Sequence, residues 1–322
     1  MTQTQPNLAP KLLVSACLLG QPVRYDGKSK GLKELGWLKR LETEGRLVVI
    51  CPEVAGGLPT PRPAAERAGE RVITTTGFDV TEEFQSGAEQ ALALCQKHNI
   101  RFALLKAKSP SCGMERVKVY HQNADGDVTG SEATGIGMFA RQIMEHNPAL
   151  PCEENGRLND PLIRENFVLR VFAYNTWLNF NETGLTKHKL IQFHSQYKYL
   201  LLSHSQDAYR KLGKFLGTSD LPLEEMAQQY IVDFMTALKQ KASRGSHCNT
   251  LQHLQGYFSK HLDKSQREEL SQSIHEYREG ILPLMAPLTL IKHYLNTYPN
   301  DYLANQKYLD PYPADLRLRY GY

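Results

Sequence analysis

The chain has 322 residues, a formal net charge of +4 and 41% hydrophobic residues, a composition that excludes a disulfide miniprotein or a disordered chain and makes two domains the expectation. The opening MTQTQPNLAPK lacks the apolar stretch of a secretion signal. The longest apolar run, Ile281 to Ile291, is broken by prolines and too short for a bilayer, so a cytoplasmic protein with no membrane partner is expected.

From Lys11 onward the pattern alternates strand and helix. KLLVSACLLG reads as a strand, Gly31 to Glu44 as a helix-sized segment, RLVVICPE as a second strand, Glu82 to His98 as a helix and IRFALLKAKSPSCG as a third strand. VKVYHQNADGDVTG predicts a hairpin turning at Asp125-Gly126, and GIGMFARQIMEHNP a closing helix ended by Pro148. Such alternation predicts an α/β domain on a mainly parallel, Rossmann-like sheet. The turn-rich stretch LPCEENGRLNDP, residues 149–160, reads as a linker. Beyond it strand signals vanish, and LIRENFVLRVFAYNTW, TKHKLIQFHSQYKYLLLSHSQDAYRKLGKFL, PLEEMAQQYIVDFMTALKQ and QREELSQSIHEYREGI read as amphipathic helices. The expected organisation is a catalytic domain over 1–155 and an all-α domain over 156–322.

Charge separates the halves. Residues 1–160 hold 19 Lys+Arg against 19 Asp+Glu, whereas 161–322 hold 19 against 15, together with 14 of the 16 Tyr and 8 of the 11 His. Cations interleaved with rings suit looped or single-stranded RNA, and a helical domain with Tyr at its core edges explains the same residues. His194, Lys198, Tyr199, His204, Tyr209, Arg210 and Lys211 recur at helical spacing as a mixed polar face, which is either solvated or in contact with RNA. His247, His253 and His261 sit among Leu and Tyr without a carboxylate at ligand spacing, and read as core or surface histidines.

Six cysteines are scattered through the chain. Cys17, Cys51 and Cys112 fall after the three strands, where sites form in parallel sheets, each in a loop rich in Gly, Pro and short polar residues: CLLGQPVRYDG, CPEVAGGLPTPRPAAE and KSPSCG. They lack the closely spaced ligand pairs of zinc sites and the CxxxCxxC loop of radical enzymes that use S-adenosylmethionine. A shared iron-sulfur cluster fits them, with three ligands leaving one iron open as a Lewis acid; three separate buried thiols are the alternative. Cys95 lines up with Ala88, Ala91 and Leu92 on a helix face and reads as core. Cys152, in the linker, and Cys248, beside His247, read as spare thiols.

SACLLGQPVRYDG, CPEVAGGLPTPRPAAE and KAKSPSCG resemble the thiouracil desulfidase family. The second half, with HSQYKYLLLSHSQDAYRKLG, SHCNTLQHLQGYF and GILPLMAPLTLIKHYL, resembles the domain fused to it in RudS-type desulfidases. Together the resemblances run from about Lys11 to Pro313. They imply a [4Fe-4S] cluster on Cys17, Cys51 and Cys112, removal of sulfur from 4-thiouridine in tRNA or from its nucleotide, and a helical domain that helps to hold RNA.

A thiocarbonyl sulfur is a soft donor suited to an open iron, and its replacement by water changes no net oxidation state, so no nucleotide cofactor is expected and no GxGxxG fingerprint occurs. Water attack needs a base and a proton donor. Glu53 is the first choice for general acid and base, the alternative being a turn carboxylate capping an amide. Ser109 and Ser111 flank Pro110 before Cys112 and can orient water or a ring carbonyl, or simply form the turn. Lys106 and Lys108 share a strand end, where one can meet phosphate or developing negative charge. Arg24 and Tyr25 suit a phosphate and a base, while an Arg24–Asp26 pair bracing the loop explains them equally. Arg62 and Glu66 read as a loop-fixing ion pair, and Gly56 and Gly57 as pocket lining. Two rivals remain: a cluster-dependent tRNA thiolation enzyme, disfavoured because no GxxxxGK[ST] loop is present for ATP, and a non-catalytic iron-sulfur RNA-binding regulator, to which Glu53 would be dispensable.

Overall fold

A computed structural model describes residues 11–32, 36–122 and 128–319. The chain divides into two compact units, Met1–Asn159 and Asp160–Tyr322.

Unit 1 is built on a parallel sheet. Its strands are β1 (Lys11–Ser15) and β2 (Leu47–Ile50), then β5 (Ile100–Leu105) and β8 (Cys152–Glu154), in the order β2-β1-β5-β8. Every pairing is parallel. Leu12, Leu13 and Val14 of β1 and Ala103, Leu104 and Leu105 of β5 are fully buried, as expected of central strands covered on both faces. Helices α1 (Gly36–Thr43), α2 (Pro52–Ala55), α3 (Thr81–Lys97) and α4 (Met138–His146) occupy the connections, α3 packing on both α2 and α4. Cys95 faces inward from α3 with Ala88 and Ala91.

A second sheet, with strand order β4-β3-β6-β7, comprises β3 (Ala65–Ala68), β4 (Arg71–Thr74), β6 (Val117–Gln122) and β7 (Val128–Gly135). Only its β6–β7 hairpin is foreseen by the sequence, and the Asp125-Gly126 turn lies outside the described residues. The stretch read as a linker contains β8. Cys152, Glu153 and Glu154 are all buried because tertiary partners satisfy the carboxylates: Glu154 accepts the Met114 amide at 2.8 Å, and Glu153 accepts Arg157 Nε at 2.7 Å. Acidic residues that look solvated in sequence form instead the edge strand that braces the loop after Cys112.

Unit 2 is helical throughout: α5 (Pro161–Glu182), α6 (Lys187–His204), α7 (Gln206–Thr218), α8 (Leu223–Leu238), α9 (Arg244–Gly256), α10 (Lys264–Glu279), α11 (Met285–Thr297) and α12 (Asp301–Ala304). Asp160, Thr186, Ser205, Ser243 and Asp263 cap their helices with side-chain oxygens. Ser205 also ends α6 and splits the long periodic run into two helices. Trp177, Phe193, Tyr197, Tyr230 and Phe234 form an aromatic core, with Phe193 stacked on Tyr197 at 4.5 Å and edge-on to Trp177 at 5.2 Å. Much of the tyrosine excess in this half is therefore core: Tyr174, Tyr197, Tyr230, Tyr277, Tyr294 and Tyr308 are buried.

Candidate functional site

The chain leaves β1 toward β2 on one side of the sheet and later enters β5 on the other, so the crevice at the carboxyl ends of these strands is a switch point, the usual place for a ligand in an open α/β sheet. A cavity of about 230 Å³ opens there. It is lined by Cys17, two residues beyond β1; by Cys51, which follows β2 directly; and by Cys112, within the loop that joins β5 to β6. Remote sequence positions thus meet because three strands end at one edge.

All three thiols are free of disulfides, Cys17 and Cys112 being 8% and 5% exposed. Burial first, then the neighbouring Cys51, pushes the Cys17 thiol up to about 11. Burial likewise raises Cys51 and, most strongly, Cys112, and Cys112 also feels Cys51, Glu53 and Cys17. Burial thus disfavours the thiolate form at all three positions. Among the described residues no three Cys, His, Asp or Glu side chains gather tightly enough to grip a single metal ion. Three cysteine sulfurs on one cavity are a soft donor set, of the kind that suits iron-sulfur clusters.

The same cavity collects Glu53, Ser109, Lys106, Lys108, Arg24 and Tyr25. Glu53 is held at one oxygen: Arg62 donates to Oε2 through Nε at 3.2 Å and Nη2 at 2.5 Å. Among the described residues Oε1 accepts only a long bond, 3.4 Å, from Ser109 Oγ. Ser109 Oγ in turn accepts the amides of Ser111 and Cys112 at 3.2 and 3.1 Å, which ties Glu53 to the Cys112 loop. Burial lowers the Lys106 ammonium, which donates to the Ala107 carbonyl at 2.6 Å. Lys108 takes a left-handed φ of 59°, a conformation that costs a non-glycine residue about 1 kcal/mol or more. Arg24 meets Asp26 at 3.5 Å and lies 5.6 Å from the Tyr25 ring centroid, so the loop-bracing pair and the exposed ring coexist.

Other residues sit elsewhere. Asp26 is not part of the cavity lining and accepts the Lys28 amide at 3.1 Å. Ser111 is buried below the lining, with an Oγ that finds no partner, and its backbone lies so close to Gly137 that a β-carbon there would approach Ser111 O to 2.5 Å. Gly56 faces α3, where a β-carbon would fall 1.9 Å from Glu83 O; Gly57 turns the chain at φ 98°. Arg62 pairs with Glu53 and not with Glu66, which correspondingly stands in the cavity wall with its carboxyl raised by burial. The spacing of Arg62 and Glu66 misleads because residues 61–64 are irregular and Glu66 lies in β3, so no helical turn brings the two together.

Sequence reasoning passes over Ser15, Asn155 and Glu154. Ser15 Oγ accepts the Lys106 amide and Asn155 Oδ1 the Ala107 amide, each at 3.0 Å, fixing the start of the β5 loop. Nothing in one sequence marks such long-range partners.

In unit 2 the polar face disperses. His194 Nδ1 lies 3.0 Å from Tyr230 Oη, and His204 Nδ1 donates to Gln240 O at 2.6 Å. Lys211 pairs with Asp207 at 2.8 Å, and Arg210 is exposed. Lys198 stands 5.7 Å from the Tyr209 centroid, and Tyr199 donates to Tyr257 at 3.0 Å, Tyr257 stacking on Tyr302 at 5.9 Å. His247 contacts Tyr308 Oη at 3.0 Å and His261 stacks on Tyr298 at 5.1 Å. Cys248 is buried, its Sγ 3.7 Å from Ile274 O.

Residues 12–155 match the family model for 2-thiouracil desulfurase, and residues 198–313 match one described as a protein of unknown function, DUF1722. The uncharacterized protein YbgA of Escherichia coli is 38% identical over 49% of this chain and 94% of its own length; the uncharacterized protein YbbK of Bacillus subtilis is 34% identical over 47% and 99%. A solved structure titled [4Fe-4S]-dependent thiouracil desulfidase TudS is 50% identical, covering 47% of this chain and 95% of that one with a TM-score of 0.41, a likeness carried by sequence. With all three loop cysteines inside the matched segment and both relatives covered almost end to end, the chain belongs to the 2-thiouracil desulfurase family, enzymes acting on thiolated uracil.

Proposed function

We propose that unit 1 removes sulfur from 4-thiouridine, in tRNA or as its nucleotide, leaving uridine and sulfide, in a reducing cytoplasm. The observation that carries this reading is the meeting of Cys17, Cys51 and Cys112 with Glu53 and Ser109 on one cavity. Cys17, Cys51 and Cys112 would hold a [4Fe-4S] cluster, which when bound supplies an iron without a protein ligand as a soft Lewis acid for the thiocarbonyl sulfur.

The chain's own residues supply the rest. Arg62 occupies Oε2 of Glu53, so proton traffic runs through Oε1, which faces Ser109 Oγ. From there Glu53 takes a proton from the attacking water and returns it as the tetrahedral carbon collapses. Ser109 is the better placed of the two serines, because it lines the cavity and Ser111 does not. Lys106, next to Cys17, offsets developing negative charge, while Tyr25 and Arg24 at the mouth suit a base ring and a phosphate. A base inside folded tRNA must leave its stack to enter. The basic, tyrosine-bearing unit 2 is assigned to RNA, supported by Lys198 among Tyr209, Tyr257 and Tyr302.

The test is anaerobic reconstitution with iron and sulfide, then incubation with tRNA containing 4-thiouridine and, separately, with 4-thiouridine 5′-monophosphate. Loss of the thiobase with matching sulfide release upholds the reading, and intact thiobase in both reactions overturns it.

A further inference from the structure

Unit 2 holds a cavity of about 330 Å³ to which the desulfuration reading gives no role. Its lining carries three permanent cations, Lys241, Arg244 and Arg319, against the single carboxylate of Glu165. That carboxylate is already committed, accepting Arg319 Nε at 2.9 Å and Tyr312 Oη at 2.7 Å. Among the described residues Lys241 pairs only with Asp160, at 3.5 Å, and is more than half exposed. Arg244 donates Nη1 to Tyr277 O at 2.8 Å and, among the described residues, has no carboxylate partner. His204 and His247 line the same space, each engaging a neighbouring oxygen through Nδ1 and leaving Nε2 without a partner among the described residues.

This composition selects a ligand class. A metal ion is unsuited to a wall of cations whose one carboxylate is bridged to arginine, and an apolar ligand is unsuited to so much charge. Two independent cations and two imidazole nitrogens around a space of ligand size match a polyvalent oxyanion with several acceptor oxygens. Burial holds the His247 imidazole down to about 3, and the nearby Arg319, His204 and Arg244 act in the same direction.

We propose that this cavity binds a phosphoryl group, clamped by Arg244 and Lys241 with the two imidazoles behind. The phosphoryl group comes either from the terminal phosphate of a nucleotide or from an RNA backbone.

The test is titration calorimetry on the full chain, without cluster, using uridine 5′-monophosphate, uridine, and a uridine oligoribonucleotide with and without a 5′-phosphate. Uridine 5′-monophosphate should bind more tightly than uridine, and the difference should shrink in variants of the cavity's cations. Lys241→Ala and Arg244→Gln should each weaken nucleotide binding about tenfold. Lys241→Ala keeps the test sound if Arg244→Gln loosens the Tyr277 contact. A preference for the 5′-phosphorylated oligonucleotide assigns the site to a terminal phosphate, and equal binding that both substitutions weaken assigns it to the backbone; either upholds the site. Equal binding of uridine and its monophosphate, or wild-type affinity in both variants, overturns it. The readout needs neither iron nor a thiolated base, so its failure leaves the desulfuration reading standing.

Discussion

Arg62 fixes one oxygen of Glu53 with two donors, at 3.2 and 2.5 Å, and so decides which oxygen of that carboxylate is available for chemistry. The guanidinium, only 5% exposed, is itself held by the carbonyls of Val23 and Pro59 and by the Thr60 hydroxyl. Cys51 Sγ approaches the same Val23 carbonyl at 3.9 Å, so one oxygen joins the carboxylate's support to the cysteine loop.

Arg62→Lys keeps the charge and loses the fork. Its kcat for desulfuration should fall roughly a hundredfold, the cost of slight misplacement of a proton-handling group, with KM little changed. Arg62→Ala should in addition cost about 3 kcal/mol by leaving Glu53 half-buried without its partner. Steady-state kinetics on reconstituted protein and urea denaturation check the pair. A variant with a normal kcat would show that Glu53 needs no fixed orientation.

Gly56 and Gly87 let α2 and α3 touch backbone to backbone: a β-carbon on Gly56 meets Glu83 O at 1.9 Å, and one on Gly87 meets Pro52 O at 1.9 Å. Either Gly→Ala substitution should cost about 2 kcal/mol, lowering Tm by roughly 4–8 °C. Because one separation of the helices relieves both clashes, the double variant should lose less than the sum. Differential scanning calorimetry measures this, and strict additivity would show that the two clashes relax independently.

Burial holds His194 down to about 4 and His247 to about 3, whereas in the unfolded chain both titrate near ~6.5. The unfolded state therefore binds protons first. Their contribution to stability is complete above about pH 6.5 and is lost as pH falls toward the folded values, at about 1.4 kcal/mol per pH unit for each ring. Urea midpoints followed between about pH 7 and 5 should fall, and His247→Gln should flatten the slope. An unchanged slope would place that ring in contact with solvent.

The alternating first half, the helical second half and the three cysteine loops are legible in the sequence because each leaves a local signature: β-branched runs, helical spacing, Gly and Pro around a thiol. The second sheet is not. β3 and β4, reading AERA and RVIT, are short and partly polar, and acquire their identity only by pairing with each other and with β6. β8 is hidden for the same reason, its two glutamates being buried by Arg157 and by the amides after Cys112. Within the site, the cysteines, Glu53 and Ser109 stand out by residue type. The Arg62–Glu53 pair, the Ser15 and Asn155 braces and the α3-facing role of Gly56 are products of tertiary contact that spacing alone misassigns.

The most direct measurement is iron and acid-labile sulfide in single cysteine variants after anaerobic reconstitution. Cys17→Ala, Cys51→Ala and Cys112→Ala should each lose the four-iron absorption and sulfide release from the thiobase, while Cys95→Ala, Cys152→Ala and Cys248→Ala keep both. Full cluster in any variant of the first set, or its loss confined to the second, would contradict the site described here.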